Sequence, residues 1–125
     1  MSLDMHGKVS LWLGTFKDES SFKNYIEGRY DADGNYIISE FQRDFAIERY
    51  DIDSAESDWI DDKCDTVKEL LEGFSYDTEV IPQFEKLIPQ ELICSYNSIL
   101  LLYDFEYSLN EHGVYQLNYI GVAEI

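Results

Sequence analysis

The sequence predicts an α+β fold, a small antiparallel sheet made of an N-terminal strand and a C-terminal hairpin, packed against three or four helices. Three observations carry that prediction. Val9 to Phe16 is a dense run of strand formers. The middle of the chain shows apolar residues at helical spacing behind capping residues. The last third returns to strand-like alternation. Strand, then helices, then hairpin is the order of an α+β domain. A chain of 125 residues is expected to form one unit spanning 1–125. Residues 1–7 read as a disordered or added start without functional weight.

In the first strand Val9, Leu11 and Leu13 share one face and Trp12 and Phe16 the other, so both faces are expected to be covered. Asp18, Ser20 and Ser21 offer N-cap oxygens to a helix carrying Phe22, Tyr25, Ile26 and Arg29 at helical spacing. Asp33-Gly34-Asn35 is a turn, Tyr36-Ile37-Ile38 a short extended piece, and Ser39 the cap of a helix burying Phe41 and Phe45.

From Glu48 to Asp65 the periodicity dissolves. These 18 residues hold eight acids and two bases, Arg49 and Lys63, among Tyr50, Ile52, Trp59 and Ile60, and an irregular segment is expected. Thr66 and Glu69 form a capping-box pattern, followed by Val67, Leu70, Leu71 and Phe74 at i, i+3, i+4 and i+7. Pro82 suits the first turn of another helix, with Phe84, Leu87 and Ile88 packed before Pro89 interrupts it. Ser98 to Tyr107 begins as a continuous apolar run and becomes an alternation that puts Leu101, Tyr103, Phe105 and Tyr107 on one face. Asn110 to Gly113 is a loop, and Val114 to Val122 closes the expected hairpin.

Charge narrows the function. The 26 Asp and Glu against 9 Lys and Arg give a formal net charge of -17, while 45% hydrophobic and 15% aromatic residues suffice for a core. The acids therefore clothe a folded surface. Such a surface repels phosphate backbones and anionic membranes, which excludes direct nucleic-acid binding and membrane association. It suits rapid, steered capture of a basic partner. The N-terminal residues lack the apolar stretch of a secretory signal, and no run approaches the roughly 20 apolar residues of a membrane span. A soluble cytoplasmic protein is expected, with Cys64 and Cys94 as reduced thiols.

Site chemistry is sparse. Asp31, Asp33, Asn35 and Glu40 suggest a calcium loop of the EF-hand kind, but in the register that starts at Asp31, Tyr36 occupies the glycine position and Glu40 falls short of the twelfth. In the other, Arg29 stands where the first ligand belongs. His6 and His112 lie apart in a terminal stretch and a loop, which gives no support to a nucleophile and its base. Asp104 and Glu106 share an expected strand face and form the alternative of an acid/base enzyme. No metal or other cofactor is expected. The segment Tyr50, Asp51, Asp53, Glu56, Asp58, Trp59, Asp61 and Asp62 is different in kind. It mixes two large rings with dense carboxylate, the composition of a protein interface in which aromatics anchor and charges steer.

Three stretches together resemble one family. Val9-Ser-Leu-Trp12-Leu-Gly14-Thr-Phe16 is similar to its N-terminal strand motif. Ser39-Glu-Phe41-Gln-Arg-Asp44-Phe45-Ala-Ile47-Glu-Arg-Tyr50-Asp51 resembles its central helix and turn, and Leu101-Leu-Tyr103-Asp104-Phe105-Glu106-Tyr107 its C-terminal strand. The family is the immunity protein 22 family of bacterial polymorphic toxin systems, and the resemblance runs from about Val9 to Tyr107. It implies a non-catalytic intracellular antidote that binds a cognate toxin domain. Many such toxins are nucleases with basic substrate surfaces, which is where the resemblance and the charge argument meet.

Overall fold

The computed structural model describes residues 7–48, 50–87, 91–107 and 116–125; of residues 52, 62–65 and 91–95 it describes the backbone course alone. The expected readings at His6, Ile88, Pro89, the 110–113 loop and His112 lie outside the described residues.

The first strand, β1 (Lys8–Gly14), is the axis of the molecule. It pairs antiparallel with β5 (Glu91–Tyr103) on one side and with β6 (Leu117–Glu124) on the other, and β5 in turn pairs with β4 (Ala55–Thr66). The four-stranded order is β4-β5-β1-β6. The period-2 alternation of the inner strands then sorts the core into two halves. Trp12, Phe16, Leu100 and Leu102 join Phe22, Tyr25, Phe41 and Phe45 on one face, beneath α1 (Glu19–Ile26) and α2 (Glu40–Asp44). Val9, Leu11, Leu13, Ile99 and Leu101 join Val67, Leu70, Leu71, Val80 and Phe84 on the other, beneath α3 (Val67–Leu71) and α4 (Asp77–Leu87). The α+β class and the double covering of β1 are thus as expected.

Three of the four helices begin where the sequence places them. Asp18 accepts the Ser21 amide at 2.8 Å, Ser39 forms a reciprocal capping box with Gln42, and Thr66 accepts the Glu69 amide at 3.2 Å. Trp12 is fully buried in a box of rings, with Phe41 edge-on at 5.0 Å and Phe45, Tyr107 and Tyr119 between 5.2 and 5.8 Å. The short strands β2 (Arg29–Tyr30) and β3 (Tyr36–Ile37) form a separate hairpin around the Asp33-Gly34-Asn35 turn.

Four expectations are corrected. The 48–65 segment is not irregular: a 3-10 turn at Ile52–Ser54 leads into β4, an edge strand whose charged residues obscure the pattern. Pro82 lies inside α4 instead of starting it, and Leu87 is exposed. The last two strands form no hairpin with each other, because β1 lies between them. β1 and the 99–102 run are apolar on both faces and belong in the interior of the sheet, while β6 has exposed positions suited to an edge. Finally, the alternation of β5 stops at Tyr103. Asp104 has φ 55° and turns the chain, so that Tyr107 packs in the Trp12 half of the core while Leu101 and Tyr103 pack in the other.

Candidate partner-binding surface

The acidic segment runs along the outer edge of the sheet, and its side chains divide between the two faces. Tyr50 and Trp59 both lie half-buried against the Trp12 half of the core. The Tyr50 hydroxyl donates to the Ile26 carbonyl at 3.4 Å, and the Trp59 indole N–H donates to the Phe16 carbonyl at 3.1 Å. Burial, then the nearby Tyr36 and Glu27, push the Tyr50 phenol above its ordinary value. Both rings are thus part-exposed and held in place by their polar ends.

The carboxylates have distinct tasks. Asp51 accepts the Asp53 amide and the Ser54 hydroxyl, each at 3.0 Å, and so caps the 3-10 turn. Glu56 ties β4 to the α3–α4 connection by accepting the Ser75 amide at 2.9 Å and hydroxyl at 3.1 Å, and it also accepts the Tyr103 hydroxyl at 2.5 Å. Asp58 accepts the Trp59 amide at 2.9 Å. Asp53, Asp58 and Asp61 are exposed. The side chain of Asp62 lies outside the described residues.

Two depressions flank this edge. On the α3–α4 side a cleft of about 590 Å³ is lined by Asp53, Glu56, Glu79 and Asp104 around Tyr76 and Tyr103; no Lys or Arg is among its described lining residues. Tyr76 is held at φ 59° just before α4, with its ring 6.1 Å from that of Tyr103. Burial, then the hydrogen bond to Glu56, push the Tyr103 phenol well above its ordinary value, so it remains a donor to that carboxylate. Glu56 and Asp58 also line an adjoining depression with Glu72. Carboxylates beside an accessible tyrosine ring are a setting for a cationic side chain. On the other side a groove of about 370 Å³ runs between Tyr30, Tyr36 and Tyr50 over Ile26, Ala55 and Leu100.

Of the expected interface, Asp53 and Glu56 enter the acidic cleft, Tyr50 enters the aromatic groove, and Trp59 packs beside it. Sequence reasoning missed Tyr76, just before α4, Glu79 in α4 and Tyr103 in β5, which join the others through the β4–β5 pairing and the hydrogen bonds of Ser75 to Glu56. Asp104, read as half of an acid/base pair, is brought to the cleft by its turn; it accepts the Gly7 amide at 2.8 Å, and Glu106 is not among the lining residues.

The 31–40 loop is otherwise employed. One Asp31 oxygen accepts the amides of Asp33 and Asn35, both at 2.9 Å, which closes the β2–β3 turn and holds that carboxyl below its usual range. Glu40 sits in the first turn of α2. Among the described residues no group of three or more His, Cys, Asp or Glu is placed to hold a metal ion.

The immunity protein 22 family model matches residues 9–124, nearly the whole chain and all four strands of the main sheet. The chain belongs to the immunity protein 22 family. Membership gives it a toxin-neutralising role exercised by binding a toxin protein, and such families are typically non-catalytic. No curated protein and no solved structure matches the chain. Among the described residues no helix is long and apolar enough to cross a membrane.

Proposed function

We propose that this immunity protein neutralises a toxin domain with a basic surface, a nuclease, by laying its acidic sheet edge over the cations that would hold phosphate. The supporting observation is the cleft of Asp53, Glu56, Glu79 and Asp104, to which three separate parts of the chain contribute acids and no described lining residue contributes a base. A nuclease holds its substrate through Lys and Arg, and carboxylates presented on a rigid edge compete for the same groups. Tyr76, 55% exposed, supplies an apolar face beside them. In this reading the protein is one cytoplasmic domain that acts by occlusion, without a cofactor and without chemistry of its own. The expected interface of Tyr50, Asp51, Asp53, Glu56, Asp58, Trp59, Asp61 and Asp62 keeps its place along the edge and is extended by Tyr76, Glu79 and Asp104.

The test is association with a cognate toxin domain, sought in the open reading frames that neighbour this one. Replacing Asp53→Asn, Asp58→Asn and Glu79→Gln together removes three exposed charges without touching the core. The association rate at low salt is expected to fall about tenfold or more, with a shallower dependence on ionic strength. An unchanged rate would remove the cleft from the interface.

A further inference from the structure

The β2–β3 hairpin lies outside both halves of the core, yet it carries two of the most exposed large side chains, Tyr30 at 72% and Tyr36 at 45%. They are cross-strand partners with rings 5.5 Å apart and edge to face, a spacing that holds both rings as a unit. Tyr36 is further fixed by its hydroxyl, which donates to Gln42 at 3.3 Å, and by Gly28, where an added Cβ would stand 2.1 Å from the Tyr36 hydroxyl oxygen. With Tyr50 they wall the groove floored by Ile26, Ala55 and Leu100. Ala55 also lines the acidic cleft, so groove and cleft meet at the start of β4.

We infer that this groove is a second docking point for the toxin and that it takes an arginine side chain projecting from the toxin's basic surface. The inference rests on the toxin-binding reading above and names the chemistry of a further contact within it. A guanidinium is planar, weakly hydrated and stacks on aromatic faces, while its aliphatic stem suits an apolar floor. The charges favour a cation. Glu27 and Lys23 both line the groove, and the excess of anion comes from the exposed Asp31, Asp33 and Asp51 on the turns that adjoin Tyr30 and Tyr50. Of the described bases, Lys23 in the groove wall donates to the Ser57 hydroxyl at 3.2 Å, and Arg29 lines a separate small depression with Glu27, Glu40 and Arg43. Tyrosine-walled pockets that exclude water are also where binding energy concentrates in protein interfaces.

The experiment measures dissociation of the cognate toxin domain from the wild-type protein and from Tyr30→Ala, Tyr30→Phe, Gly28→Ala and Glu27→Gln, each checked for an unchanged circular dichroism spectrum. Tyr30→Ala is expected to speed dissociation about tenfold or more, and Tyr30→Phe, which keeps the ring, to stay within about twofold. Gly28→Ala tests the groove by a second route: the new methyl displaces the Tyr36 ring, and dissociation should again quicken. Glu27→Gln should weaken binding too, because it removes the groove's own anion. Tyr30→Ala without effect, in a protein whose triple acid variant still associates slowly, would overturn the groove and leave the acidic cleft standing. Loss on Tyr30→Ala with none on Glu27→Gln would overturn the arginine as occupant. A toxin domain that does not bind the wild-type protein would overturn both readings.

Discussion

At Gly14 the end of β1 passes between β5 and β6 so closely that an added Cβ would stand 2.4 Å from the Gln116 carbonyl oxygen and 3.3 Å from the Leu117 Cα. Backbone on a paired strand has nowhere to move. Gly14→Ala is expected to destabilise the protein by about 1–3 kcal/mol, the usual range for overpacking, read as a lower urea midpoint; an unchanged midpoint would mean that β6 can shift outward. Gly14 belongs to the Trp12-Leu-Gly14-Thr-Phe16 motif, and its role there is steric. Other single residues were legible without coordinates. Asp18, Ser39 and Thr66 cap the helices that their side-chain chemistry announces, and Trp12, Phe41 and Phe45 are core. Tyr50 and Trp59 were legible only in part. Their rings predict contact with something, but only the hydrogen bonds to the Ile26 and Phe16 carbonyls show that each has one side committed to this chain.

Among the elements, α4 carries a local conflict. Pro82 is the sixth of its 11 residues, past the first turn, where it removes the amide that would bond the Thr78 carbonyl and crowds the preceding turn. Val80 and Phe84, both fully buried, hold the helix in spite of it. Pro82→Ala restores the hydrogen bond and loses some restriction of the unfolded chain, for an expected net gain of about 1–2 kcal/mol in urea unfolding. A lower midpoint would show that the packing of α4 requires the proline geometry. α4 starts upstream of the expected position because proline in the first turn is only a local rule, and the Tyr76 carbonyl already accepts the Glu79 and Val80 amides. β4 was missed for a related reason. An edge strand rich in acids has little of the apolar alternation by which strands are recognised, and it is held by β5, whose paired residues lie 25 to 47 positions further along the chain.

Across the whole molecule the dominant quantity is the net charge of -17 on 125 residues, which opposes compaction. Raising salt from about 0.01 M to about 1 M shortens the screening length from about 30 Å to about 3 Å. The midpoint of thermal unfolding is therefore expected to rise with sodium chloride at neutral pH. A flat or falling midpoint would mean that local pairs such as Lys8–Glu124 outweigh the general repulsion. Under the proposed function, the same excess that weakens the isolated fold favours a complex with a cationic toxin, since docking neutralises it.

The α+β class, the doubly buried first strand, three of the helix caps and the surplus of negative charge were determined by the sequence itself, because each follows from residues near one another or from a sum over all of them. Strand order was decided only in three dimensions. It follows from which strands are apolar on both faces and must lie inside, a competition among segments far apart in the chain. That order sets β4 at the edge, brings Tyr76, Glu79, Tyr103 and Asp104 to Asp53 and Glu56, and leaves Tyr30 and Tyr36 facing solvent across the same edge.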